Sequence, residues 1–147
     1  KTFTRIIRYV QQCFPGASIL VMGVGDRSTL RDGQFVTMPA VKGMIDAQRK
    51  AAEAAGVAFW NTFDAMGGHN SMVRFVEKHW AAKDYTHIGY TGGKYVADRL
   101  VDALITGVDS MRREIELRER IDRLLKYDSA AIDFRVPDTA LPLQPSL

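Results

Sequence analysis

Two short apolar runs on either side of a helix-like segment constrain the fold more than any other feature of the sequence. The first, residues 18–23 (Ser-Ile-Leu-Val-Met-Gly), is continuous and bounded by glycine, which predicts a strand buried on both faces. Residues 57–61 predict a second strand. Between them, Met38-Pro39 opens a segment of helical spacing that ends at Gly56. Strand, helix and strand predict a right-handed βαβ unit with a parallel sheet.

Helical spacing predicts three further helices, over residues 3–14, 72–80 and 91–105. We expect residues 69–71 (His-Asn-Ser) to cap the second of these. Residues 24–37 and 63–68 are polar or glycine-bearing and are predicted to be loops. The first of these loops is long for a compact domain, and loops of that length are often functional.

The composition changes after Gly107. Residues 110–127 are dense in arginine and glutamate with a narrow apolar stripe, which predicts a solvated helix packed along one seam. The stripe consists of Leu117, Ile121, Leu124 and Leu125. Prolines 137, 142 and 145 predict an extended tail or linker. We therefore divide the chain into a domain over 1–107 and a charged helix with a proline-bearing tail over 108–147.

The overall composition fits one globular domain with a core. The chain has 147 residues, of which 46% are hydrophobic and 25% charged. Its formal net charge is +3, but the basic residues are scattered, which argues against a nucleic-acid surface. No segment approaches the roughly 18 apolar residues of a membrane span. The single cysteine, Cys13, excludes an internal disulfide and is expected to be a small buried hydrophobe.

The strongest candidate for chemistry is the pair Asp84 and His87, three residues apart in a loop before the helix at 91–105. In an open parallel sheet, ligands lie beyond the carboxyl ends of the strands, where loops of this kind occur. A histidine can act as general base for a hydroxyl nucleophile, and a nearby acid can orient it. The alternative is a loop acid that caps a helix beside a surface histidine.

Several motifs, in the same order along the chain, resemble the C-terminal half of a bacterial branch of the SGNH-type (GDSL-like) esterases and lipases. Residues 81–87 (Ala-Ala-Lys-Asp-Tyr-Thr-His), followed by Gly92-Gly93, resemble the last block of that family. The other matching motifs lie at 25–28 (Gly-Asp-Arg-Ser), 37–39, 47–52, 58–61 and 65–72. The resemblance covers residues 3–105.

This resemblance implies a flavodoxin-like three-layer α/β/α fold with a parallel sheet, here lacking its N-terminal strands. It also implies a serine ester hydrolase in which His87 is the general base and Asp84 completes the triad. The family's Gly-Asp-Ser block and its oxyanion-hole glycine and asparagine are not found, so we expect them upstream of Lys1, in a missing N-terminal half of the same domain.

The serines within the chain fit the nucleophile poorly. Ser28 stands in Gly-Asp-Arg-Ser, with an inserted arginine, and only 59 residues separate it from His87. We expect Ser28 to belong to a polar loop at the edge of the active site. For Ser71 we expect helix capping.

Other polar residues and glycines are weaker candidates for functional sites. Gly67 and Gly68 are predicted to let the backbone approach a substrate closely. The three histidines match no compact zinc spacing, so we expect no metal site. Asp26 and Asp64 are expected to serve turns. No glycine-rich phosphate loop joins a strand to a helix, so no cofactor is expected.

The sequence is therefore compatible with two functions. The first is a serine esterase acting on small acyl esters, such as acetyl groups on a carbohydrate or cell-wall polymer. The second is a catalytically silent half-domain that binds another segment or chain. The acyl group, the alcohol and the oligomeric state are left open, as is the compartment, with a periplasmic or secreted location expected if the parent protein carries a signal peptide.

Overall fold

The computed structural model describes the backbone of residues 2–131 and the side chains through residue 126. Contacts divide the chain into two compact units, with the boundary between Leu104 and Ile105. The elements, in chain order, are α1 (Thr2–Cys13), β1 (Leu20–Met22), β2 (Ser28–Arg31), β3 (Gln34–Thr37), α2 (Ala40–Ala55), β4 (Ala58–Trp60), α3 (Thr62–Ala65), α4 (Ser71–Glu77) and α5 (Tyr90–Ala131).

The predicted βαβ unit is confirmed. Strands β1 and β4 pair in parallel, with Leu20 opposite Ala58, and α2 lies in the connection between them. Helix α2 ends where the sequence predicts, because Gly56 adopts the left-handed conformation with φ of 68°. The α/β class follows from this unit, whereas the three-layer arrangement and further N-terminal strands stay predictions.

The core of the first unit forms where helices cover this sheet. Ile7 of α1 packs with Val21 of β1 and with Ala51 and Ala52 of α2. The expectation that β1 is buried on both faces is wrong for the described residues, since the side chain of Met22 is 48% exposed. Strand β1 therefore has one covered face and one open face.

The prediction of a loop over residues 24–37 is also wrong, because β2 and β3 form an antiparallel hairpin there. Arg31 pairs with Gln34 across a two-residue turn of Asp32 and Gly33, whose φ angles are 50° and 76°. Two positive φ angles are what a two-residue hairpin turn of this type requires, and Asp-Gly favours it strongly. The Asp32-Gly33 dipeptide in the sequence is itself a signal for this turn. The polar residues around it led instead to the prediction of a loop.

Helix α5 differs most from its prediction. It runs without a break through Gly107, where the sequence predicted two separate helices. A single glycine costs only about 1 kcal/mol relative to alanine, too little to stop a long helix. Its stripe residues, including Leu117 and Leu124, are exposed rather than packed along a seam. The predicted proline-bearing tail lies outside the described residues.

The structure differs from the sequence predictions in two smaller ways. Cys13, the last residue of α1, is exposed rather than buried. Residues 63–65 of the predicted loop 63–68 belong instead to the single helical turn α3. Within the described part of the chain, no helix has the length and apolar character needed to cross a membrane.

Candidate functional site

The loop that carries Asp84 and His87 is closed at its base by backbone pairing. Ala81 and Ile88 form an antiparallel bridge. The Ala82 N–H donates to the His87 carbonyl at 2.8 Å, and the Gly89 N–H donates to the Trp80 carbonyl at 2.7 Å. These bonds fix both ends of the loop directly before α5 begins.

Within this loop, Asp84 and His87 are brought together as the sequence suggested. Asp84 Oδ2 lies 2.7 Å from His87 Nδ1. Asp84 Oδ1 accepts the backbone N–H groups of Thr86 (3.0 Å) and His87 (3.1 Å). The carboxylate therefore orders the turn with one oxygen and orients the imidazole with the other. The His87 side chain is 80% exposed, so its far edge faces solvent.

The hydrogen bonds around Asp84 keep its carboxyl group ionised. They lower its pKa from 3.8 to about 2; the side-chain bond from His87 contributes most, followed by the backbone N–H groups of His87 and Thr86. An ionised carboxylate can only accept, so His87 Nδ1 carries the proton of the shared bond. His87 Nε2 has no hydrogen-bond partner among the described residues and is the nitrogen left to accept a proton from another group.

The β2–β3 hairpin supports this loop from one side. The ring of Tyr85 stacks on Phe35 of β3, with centroids 3.6 Å apart and planes 10° apart. The Ser28 N–H donates to the Tyr85 carbonyl at 3.0 Å. Tyr85 has a φ of 55°, a conformation that a bulky residue adopts only when its surroundings hold it there. The sequence analysis missed Phe35 because it missed the hairpin.

The start of α5 supports the loop from another side. Gly92 lies against the Trp80 carbonyl so closely that a Cβ on Gly92 would overlap the carbonyl oxygen. Trp80 packs with Phe75 and Tyr95, with ring centroids 5.4 Å and 5.1 Å away. The base of the Asp84–His87 loop is thus held by an aromatic cluster and by a backbone contact that glycine alone allows without displacement.

Asp26 does not serve a local turn, as the sequence suggested. Its side chain is buried, and Oδ2 accepts the Met72 N–H at 2.9 Å and the Ser71 hydroxyl at 3.3 Å. Asp26 therefore caps α4 from a distant part of the chain, in place of the predicted cap from residues 69–71. Asn70 instead bonds to Thr37, through its side-chain oxygen and its own N–H.

The two serines considered as nucleophiles are both buried. Ser71 has no exposed surface, and its hydroxyl is directed at Asp26. Ser28 lies in strand β2 rather than in a loop and is 7% exposed. Neither presents its hydroxyl to solvent, where an ester would have to meet it.

Gly67 and Gly68 form a turn with φ angles of 107° and 75°. Their N–H groups donate to the carbonyls of Asp64 (2.9 Å) and Phe63 (2.8 Å), so both amides are engaged within the turn. Their predicted role in substrate binding stays a prediction. Among the residues whose side chains are described, no group of three or more His, Cys, Asp or Glu is placed to hold a metal ion.

Comparison with known proteins adds one informative likeness. No protein-family model matches the chain, and no curated protein does. Among solved structures, a peptidoglycan O-acetylesterase matches with a TM-score of 0.67 and 28% sequence identity over 74% of this chain. The chain covers 31% of that protein, about a third of its length. In fold, the chain is similar to an esterase.

Proposed function

We propose that this chain provides the acid–base arm of a serine ester hydrolase that removes small acyl groups, acetyl in particular, from carbohydrate or cell-wall esters. The observation that carries the proposal is the 2.7 Å contact between Asp84 Oδ2 and His87 Nδ1 beside an exposed imidazole. The fold likeness to a peptidoglycan O-acetylesterase supports the substrate class.

In the proposed reaction, His87 Nε2 takes the proton of a serine hydroxyl as the serine oxygen attacks the ester carbonyl carbon. The tetrahedral oxyanion collapses, the carbon–oxygen bond to the alcohol breaks, and His87 returns the proton to the leaving alcohol. Water then repeats the sequence on the acyl-serine and releases the acid. Throughout, ionised Asp84 holds the imidazole in one orientation and stabilises its charged form.

We propose that the nucleophilic serine lies on a segment outside these 147 residues. The burial of Ser28 and Ser71 supports this placement. Exposed apolar side chains on the first unit, such as Tyr9 (67% exposed) and Met22 (48% exposed), support a further segment that covers them.

The test is labelling of the complete reading frame with a fluorophosphonate probe, followed by peptide mapping. We expect one adduct on a serine outside this chain, and we expect His87→Ala to abolish it. His79→Asn is the matched control, because His79 is exposed and has a φ of 57° that asparagine tolerates. An adduct on Ser28 or Ser71, or labelling that persists in His87→Ala, would contradict the proposal.

A silent binding module is the second candidate. Its supporting observation is the exposed apolar stripe of α5, where Leu117, Ile121 and Leu124 are 45–60% exposed. The same labelling separates the two candidates, because a silent module gives no adduct in the complete protein.

A further inference from the structure

We infer that residues 113–125 of α5 bind the surface of an anionic membrane and lie in the plane of its headgroups rather than across the bilayer. The inference concerns the second unit alone and is independent of the proposed hydrolysis. It starts from four large apolar side chains that solvent reaches. The members of this apolar face, each 45–62% exposed, are Leu117, Ile121, Leu124 and Leu125.

Helix geometry places these four side chains on one side of α5. Successive residues of an α-helix are rotated by about 100°, so residues three, four and seven positions apart project in similar directions. Leu117, Ile121 and Leu124 have this spacing, and Leu125 borders them. Ile115 is also 48% exposed, but it projects roughly 120–180° away from Leu117, Ile121 and Leu124. Ile115 therefore lies outside the apolar face.

Arginine borders the apolar face on both sides. The same rotation puts Arg113 and Arg120 on one side of it and Arg118 on the other. Arg113 and Arg120 also line a surface hollow together with Leu117, which places their side chains next to the apolar face. The aliphatic part of an arginine can lie along apolar surface while its guanidinium group stays in a polar layer. The arrangement therefore suits a layer of negative charge above an apolar one.

The acidic residues of this segment do not oppose that positive charge. Glu116, Glu119 and Asp122 project more than about 100° from the middle of the apolar face, towards the opposite side of the helix. Glu114 lies close to the face, but its Oε1 accepts a hydrogen bond from Arg118 Nη2 at 2.6 Å, so its charge is compensated. The side of α5 that carries the apolar face is therefore apolar in its middle and basic at its borders.

The charges also decide between a membrane and a second copy of α5. In an antiparallel pair of helices, each border of the face meets the same border of the partner, and in a parallel pair the two borders meet each other. Both borders carry arginine, so either pairing would place like charges side by side, which is destabilising. An anionic bilayer instead presents negative headgroups above apolar acyl chains, the order that a basic amphipathic helix matches.

The test is co-sedimentation of the complete protein with two kinds of vesicle, one of equal parts phosphatidylglycerol and phosphatidylcholine and one of phosphatidylcholine alone. We expect binding to the anionic vesicles and at least about tenfold weaker binding to the neutral ones, because each arginine at an anionic surface adds to the affinity. Raising the salt from about 0.1 to about 0.5 M should weaken the binding to anionic vesicles. Failure to bind the anionic vesicles, or equal binding to both kinds, would overturn the inference.

Variants of α5 locate the binding surface. Ile121→Gln should weaken binding to anionic vesicles roughly tenfold, because one apolar side chain no longer enters the acyl layer. Ile115→Gln is the matched control: the substitution is the same and the exposure is similar (48% against 45%), but Ile115 lies outside the apolar face, so binding should be unchanged. Arg120→Gln should weaken binding about fivefold. Undiminished binding in Ile121→Gln and Arg120→Gln, or an equal loss in Ile115→Gln and Ile121→Gln, would refute the surface.

Two further measurements separate this inference from its alternatives. Sedimentation velocity without lipid should give the same oligomeric state for the unchanged protein and for Ile121→Gln; dissociation of an oligomer in Ile121→Gln would assign the face to a second copy and overturn the inference. His87→Ala should abolish fluorophosphonate labelling and leave vesicle binding unchanged. Labelling without vesicle binding would refute this inference alone, and vesicle binding without labelling would refute the hydrolase alone.

Discussion

Replacement of Gly92 by alanine tests whether the close backbone contact at the base of the Asp84–His87 loop is needed to hold that loop in place. The new Cβ would overlap the Trp80 carbonyl oxygen and lie 3.3 Å from Phe75 Cδ2. The Trp80 carbonyl also accepts the Gly89 N–H at 2.7 Å, so it cannot move away without weakening the bond that closes the loop. Gly93, one residue later, has nothing within 4 Å of its Cβ position and provides a matched control.

The two substitutions should change the free energy of unfolding in opposite directions. Gly93→Ala should stabilise the protein by about 0.5–1 kcal/mol, because alanine has less conformational freedom in the unfolded chain. Gly92→Ala has the same gain, but overpacking costs about 1–3 kcal/mol and a weakened hydrogen bond about 1 kcal/mol more. The net effect of Gly92→Ala is therefore a loss of about 2 kcal/mol.

The measurement is urea denaturation followed by circular dichroism, with kcat for the proposed ester hydrolysis measured in parallel on the complete protein. We expect Gly92→Ala to lower both stability and kcat, and Gly93→Ala to leave kcat unchanged. If Gly92→Ala proved as stable as Gly93→Ala, the backbone contact would not explain the glycine, and the argument for how the loop is anchored would fail.

Three further predictions follow from the site. Phe35→Ala should remove a stacking contact of about 0.5–1.5 kcal/mol and lower kcat more than it changes KM in steady-state assays. Phe35→Tyr keeps the ring and should restore kcat. An unchanged kcat in Phe35→Ala would refute the positioning role of Phe35. The pKa of Asp84, followed by carboxyl ¹³C NMR, should be about 2 and should rise towards 3.8 in His87→Ala, since the side-chain bond from His87 is its largest cause. Because this pKa is depressed on folding, its contribution to stability is present above pH 3.8 and lost as the pH falls through about 2; a pKa near 3.8 in the unchanged protein would contradict the bond. Asp26→Ala should destabilise the protein by about 1–3 kcal/mol in urea denaturation, because the buried Met72 N–H loses its acceptor, and an unchanged midpoint would rule out this cap.

The features that could be predicted from the sequence are those encoded by neighbouring residues. Two apolar runs and a segment of helical spacing between them predict the βαβ unit. The contact of Asp84 with His87 joins residues only three apart in the sequence. The cap that Asp26 supplies to Met72 joins residues 46 apart, and no local pattern reports such a contact. The support that Phe35 gives to the Asp84–His87 loop depends on how the hairpin packs against Tyr85, which no local sequence pattern reports.

Because side chains alternate along β3, the two faces of the hairpin carry different residues. Phe35 stacks on Tyr85 of the Asp84–His87 loop, whereas its neighbour Val36 points to the other face of the strand, because successive residues of a strand point to opposite sides. The Asp32-Gly33 turn sets the register that assigns each residue to its side. An insertion of one residue at this turn would exchange the two surfaces together.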